Sequence, residues 1–143
     1  MMEHGGRTVG FTASSFDLLH AGHILMLAEA RNHCDYLIVA LQTNPVDRPE
    51  KNKPIQSTAE RWIQLSAVRF IDEIIPYDTE EDLLVLIQSL KPDVRILGED
   101  YLDKDFTGKQ WCLDNGIEII YTKREHKYST TALRKKIEST KTK

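Results

Sequence analysis

The sequence predicts an α/β protein: a doubly wound parallel sheet of about five strands with helices on both faces. Three observations carry this. Short β-rich runs alternate with longer helical stretches along the chain. The run 35–43 (DYLIVALQT) is almost continuously aliphatic, as in a strand buried on both faces. Polar residues gather just after the strand runs, at the sheet edge where parallel sheets bind ligands.

Residues 7–13 (RTVGFTA) form the first expected strand. A helix follows over 22–33, with Ile24, Leu27, Ala28 and Arg31 spaced along one face. The strand at 35–43 leads into residues 44–56, whose three prolines and many charges describe an exposed loop. Ser57 and Glu60 match a capping box that opens a helix through Trp62, Ile63, Ala67 and Phe70. A short strand at 72–77 (DEIIPY) precedes a helix opened by Thr79 and Asp82 and closed by Pro92. Strands at 93–97 (DVRIL, ending at Gly98) and 117–121 (IEIIY) follow. A last helix starts near Ser129 and buries Leu133 and Ile137. Strands joined by crossover helices imply right-handed parallel connections. The expected organisation is one domain over 1–143, with its core at 7–137 and a frayed tail at 138–143.

The chain has 143 residues, is 41% hydrophobic and 29% charged, and carries a formal net charge of −3, which fits a soluble globule. The acidic balance argues against a surface that grips nucleic acid. Cys34 and Cys112 are far apart, outside any ligand-like spacing, and read as reduced packing residues. No run has signal-peptide length or the roughly 18 apolar residues of a membrane span, so the expected location is the cytoplasm, without membrane insertion.

The stretch Ser14-Ser15-Phe16-Asp17-Leu18-Leu19-His20-Ala21-Gly22-His23 sits at the first strand-to-helix junction. A helix start offers unpaired N–H groups and a partial positive charge, which suit phosphate. His20 and His23, three residues apart, share one face of the first turn, and Gly22 leaves room for a phosphate near the backbone. Two imidazoles aimed at one point can donate hydrogen bonds to a reacting phosphate. The pair also fits a metal site with Asp17 as third ligand, or plain helix capping.

His20-Ala21-Gly22-His23 resembles the HxGH signature of the nucleotidyltransferase superfamily, a Rossmann-like fold, and SSFDLLHAGH resembles the GTFDLLHxGH form of the cytidylyltransferases. Residues 69–76 (RFIDEIIP), 98–101 (GEDY) and 124–131 (REHKYSTT) resemble that family's RYVDEVIP, GDDW and RTEGISTT in the same order. The nearest likeness is to the bacterial glycerol-3-phosphate cytidylyltransferases. The resemblance implies an enzyme transferring CMP from CTP to a small phosphorylated acceptor, glycerol 3-phosphate in the first instance, with Mg²⁺ accompanying the triphosphate, and a homodimer. It implies that His20, His23, Arg124 and Lys53 serve catalysis. Ser15, Phe16, Asp17, Gly22, Lys51, Gly98, Asp100, Ser129, Thr130 and Thr131 would bind the nucleotide, and Asp17 or Asp100 would hold Mg²⁺ through water. Arg61 and Arg69 are the candidates for the acceptor, with structural ion pairing as their alternative.

Three departures matter. Ser14-Ser15 replaces the family's Gly-Thr, and Lys127 replaces a glycine. Leu83 stands where the glycerol-3-phosphate enzymes carry an acceptor-binding lysine, and residues 77–90 hold no Lys, Arg or His. The FDLLHAGH and GEDY likeness extends to the heptose-phosphate adenylyltransferases, so an adenylyltransferase acting on a sugar phosphate, a flavin or a phosphopantetheine is the alternative. A non-catalytic nucleotide-binding module is a further one.

Overall fold

The computed structural model describes residues 4–43, 49, 53–123, 133 and 135–138. Its elements alternate as β1 (Val9–Ser14), α1 (Ala21–Arg31), β2 (Tyr36–Gln42), α2 (Thr58–Ser66), β3 (Glu73–Tyr77), α3 (Glu80–Leu90), β4 (Val94–Gly98), α4 (Lys109–Asp114) and β5 (Glu118–Thr122). The five strands form one parallel sheet in the order β3-β2-β1-β4-β5. The doubly wound α/β fold expected from the alternation is therefore observed.

Local chemistry sets the helix starts. Asp82 N–H donates to Thr79 Oγ1 at 3.1 Å while Thr79 N–H donates to Asp82 Oδ2 at 3.2 Å, opening α3. Ser57 and Glu60 do the same for α2, so both predicted capping boxes are present. Helix α3 ends at Lys91, in a left-handed conformation (φ 46°), directly before Pro92. Helix α4 and a single 3₁₀ turn at Glu99–Tyr101 were not expected from the sequence. Helix α4 has six residues and follows Gly108 (φ 84°), an N-cap position with no side-chain cap, so no local signal marks it. Arg31, spaced with Ile24, Leu27 and Ala28 along α1, pairs with Asp72 at 2.5 Å.

Each face of the sheet has its own core. Phe11, Ile38, Ala40 and Val9 pack with Leu83, Ile87 and Cys112 beneath α3 and α4. Leu37, Val39, Leu41 and Ile96 pack with Leu27 and Leu65 beneath α1 and α2. Odd and even strand positions thus both bury apolar side chains, which explains the unbroken hydrophobic run of β2. Strand β1 lies at the point where the chain changes direction across the sheet, with β2 on one side and β4 on the other. The crevice outside the carboxyl ends of such neighbouring strands is the natural binding position.

Candidate active site

A cleft of about 690 Å³ opens at that crevice. It is lined by the end of β1 and the start of α1, by Tyr77 at the end of β3 with Glu80 and Leu83 beyond it, by Arg95, Leu97, Gly98 and Asp100 along and after β4, and by Asp105 to Thr107 and Thr122 to Lys123. Of the residues singled out from the sequence, Ser15, Phe16, His20, Gly22, His23, Gly98 and Asp100 all line it. Lys51, Arg124, Ser129, Thr130 and Thr131 lie outside the described residues.

The two histidines build the start of α1. His20 is the N-cap residue in extended backbone (φ −139°, ψ 177°). Gly22 N–H donates to His20 Nδ1 at 3.0 Å, and His20 N–H donates to His23 Nδ1 at 3.2 Å. The two rings thus cap α1, as the capping alternative expects, and both also line the cleft. The rings stack, with centroids 4.0 Å apart and planes 29° from parallel. A ring nitrogen that accepts a backbone proton cannot carry its own, so each neutral ring holds its proton on Nε2. The pair is thus fixed as two Nε2–H donors at a helix start whose dipole favours negative charge.

Burial pulls the His23 pKa down to about 4, helped by repulsion from His20 and opposed by Asp17. His23 is neutral at pH 7, as its Nδ1 contact requires. The unfolded chain titrates this ring near 6.5 and binds its proton where the folded protein does not. Its contribution to stability is therefore complete above pH 6.5, falls as pH drops, and is lost through about pH 4. Urea melts of wild type and His23→Gln between pH 7 and 4 should show a steeper acid loss in the wild type.

The loop before the histidines is strained and held from outside. Phe16 and Leu18 have φ of 48° and 50°, the left-handed region that side chains disfavour. Leu18 N–H donates to Gln56 Oε1 at 2.9 Å. Asp17, 5% exposed, accepts from Ile55 N–H at 2.8 Å and Gln56 N–H at 2.9 Å. These bonds correct the expectation that Asp17 binds nucleotide or a hydrated metal ion. Both its oxygens hold the 55–56 backbone, and it does not line the cleft.

Arg61 is corrected too. It is 2% exposed, and all five guanidinium protons are used. Nε donates to Gln56 O at 3.2 Å, Nη1 to Ser15 O at 2.9 Å and to Gln42 O, and Nη2 to Thr43 O at 2.7 Å and Thr58 Oγ1 at 3.2 Å. It clasps the ends of β1 and β2 to the start of α2 and has no donor left for an acceptor. Arg69 is exposed, stacks on Phe70 at 5.0 Å, and precedes β3, which puts it toward the sheet end opposite the cleft. Neither arginine fits an acceptor site. Lys53 is half-buried and is not among the residues lining the cleft.

Sequence reasoning missed Arg95. It sits inside β4, 3% exposed, lines the cleft, and donates from Nη1 to Thr107 O at 2.8 Å. Its Nε is buried without a partner. Burial lowers its pKa, with Cys112, Tyr77 and Glu80 acting the other way. Among the described residues no group of three His, Cys, Asp or Glu side chains could hold a metal ion, so the reading of His20, His23 and Asp17 as a metal site has no geometric support. Asp100 is the predicted carboxylate that lines the cleft. No described helix is long and apolar enough to cross a membrane.

Comparison with known proteins bears on the family and the fold. The cytidylyltransferase-like family model matches residues 11–136. The bifunctional protein HldE of Helicobacter pylori is 35% identical over 141 residues, 97% of this chain and 29% of that protein. HldE of Hyphomonas neptunium is 38% identical over 130 residues, 90% of this chain and 26% of that protein. The chain thus spans under a third of these relatives. Among solved structures, the lipopolysaccharide core biosynthesis protein of Thermoplasma volcanium superposes with a TM-score of 0.69 at 25% identity, covering 87% of this chain and 100% of the other. Pantoate-beta-alanine ligase of Francisella tularensis shares the fold, with a TM-score of 0.63 at 22% identity over 89% of this chain and 62% of its own. The matched segment runs from the middle of β1 past the end of the described sheet, and on it the chain belongs to the cytidylyltransferase-like family of nucleotidyltransferases.

Proposed function

We propose that the protein transfers adenylate from ATP to a small phosphorylated sugar and releases pyrophosphate. The observation that carries the transfer is the stacked His20–His23 pair, locked as Nε2–H donors at the start of α1 and facing the cleft. An acceptor phosphate oxygen attacks the α-phosphorus in line, the bond to the bridging oxygen breaks, and pyrophosphate leaves with that electron pair. The attacking oxygen is ionised at pH 7, so no general base is needed. The protein positions the two phosphates and stabilises the charge on the α-phosphate oxygens through the imidazole donors and the helix start. Mg²⁺ would neutralise the triphosphate, with Asp100 as its water-mediated contact on this chain. The family likeness would add Arg124 and residues 129–131 on the β- and γ-phosphates.

Adenylate and a sugar acceptor are favoured over CTP and glycerol 3-phosphate by two findings. The relatives above are HldE proteins matched over nearly all of this chain, in line with the FDLLHAGH and GEDY likeness to heptose-phosphate adenylyltransferases. Leu83, at the position of the glycerol-3-phosphate enzymes' lysine, is buried in the cleft wall and offers no charge.

A pyrophosphate-release assay tests this, pairing ATP and CTP with sugar 1-phosphates and with glycerol 3-phosphate. The expected result is ATP with a sugar phosphate favoured by about tenfold or more in kcat/KM. Preference for CTP with glycerol 3-phosphate would restore the cytidylyl reading. Release with no pair, despite nucleotide-induced thermal stabilisation, would leave a binding module.

A further inference from the structure

We propose that Arg95 anchors the acceptor's phosphate, and that Glu80 and Thr107 beside it receive the acceptor's hydroxyls. This rests on the transferase reading above and names the acceptor half of that site. The histidines stand at the start of α1, which covers one face of the sheet, whereas Arg95 lies on the α3 and α4 face. There its guanidinium sits 5.6 Å from the Phe11 ring centre and 5.2 Å from that of Phe106, with a terminal nitrogen near Gly108.

Arg61 and Arg95 are equally buried, and the contrast between them identifies the second as a ligand group. Arg61 spends every donor on backbone and side-chain oxygens. Arg95 has one oxygen acceptor, the Thr107 carbonyl, a side-chain hydrogen bond with the Cys112 thiol, an unpartnered Nε, and no carboxylate within ion-pair distance among the described residues. A buried, permanently charged group left in that state is costly, and an oxyanion in the cleft removes the cost. Arg95 and Lys123 are the lysine or arginine residues among the described lining, and Lys123 is exposed at the rim. Beside Arg95, Thr107 Oγ1 donates to Glu80 Oε2 at 2.7 Å, and both residues line the cleft. A phosphate next to a carboxylate–hydroxyl pair matches an acceptor that is a phosphorylated polyol or sugar.

Arg95→Met and Arg95→Lys test this in steady-state assays with ATP and the preferred acceptor. The methionine variant should raise the acceptor KM about 10- to 100-fold and leave the ATP KM unchanged, with partial recovery in the lysine variant. Replacing a buried charge by an apolar chain of similar size often leaves stability intact, and thermal melts check it. A second measurement needs neither turnover nor a folded variant. In ¹⁵N NMR of the wild type, the Arg95 Nε–H resonance should move on titration with inorganic phosphate. Pyrophosphate release with no pair would sink the transferase reading, while the phosphate titration would still judge the anchor. An unmoved resonance, an unchanged acceptor KM, or an ATP KM that rises in step would overturn the assignment of Arg95.

Discussion

His23→Ala should lower turnover by about 10²–10³, roughly 2.7–4 kcal/mol of transition-state stabilisation, and His20→Ala should do the same. Each ring would present its Nε2–H where charge develops on the α-phosphate, and alanine leaves nothing that donates there. His20→Ala also removes the N-cap of α1, which costs about 1 kcal/mol of stability. His20→Asn separates the two effects, because asparagine caps well but cannot project a donor as far as Nε2. It should melt close to wild type and still turn over poorly. Single-turnover rates across these variants are the measurement, and near-wild-type rates in both alanine variants would remove the site.

Arg61→Ala should destabilise the fold by about 3–4 kcal/mol, a large value with a specific cause. The substitution strands the carbonyls of Ser15, Gln42, Thr43 and Gln56 together at the carboxyl edge of the sheet. Arg61→Lys should recover less than half, since an ammonium has three protons and no planar fork. Equilibrium urea unfolding reads the loss as a lower midpoint at constant slope. A midpoint equal to that of the wild type would mean that water satisfies those carbonyls as well as the guanidinium does.

These two sites differ in how readable they were. The histidine pair was legible because its geometry is local: three residues on one helical turn, at a junction marked by the alternation of strand and helix. The capping boxes of α2 and α3 were legible for the same reason. Arg61 was not, because its partners are backbone oxygens from three separated segments, and a carbonyl leaves no trace in sequence. Asp17 misled for a related reason. A carboxylate inside the FDLLHAGH stretch looks like a ligand group until the 55–56 backbone is folded against it. Arg95 was hidden inside DVRIL, where it read as part of a strand. Only the sheet, by turning that position toward the α3 face, shows it inside the cleft. Helix α4 escaped because six residues after an uncapped glycine carry neither period nor boundary.

The strand order has one more consequence, for how the chain assembles. Strand β1 is central, but its Gly10 pairs with Val94 of β4, 84 positions further on. Until β4 is made, a nascent chain can zip β1 only to β2, leaving a buried central strand with one open side that other chains can extend. Assembly should therefore be slow and sensitive to concentration up to that pairing, and shortening the chain before Gly98 should yield aggregates rather than a smaller folded unit.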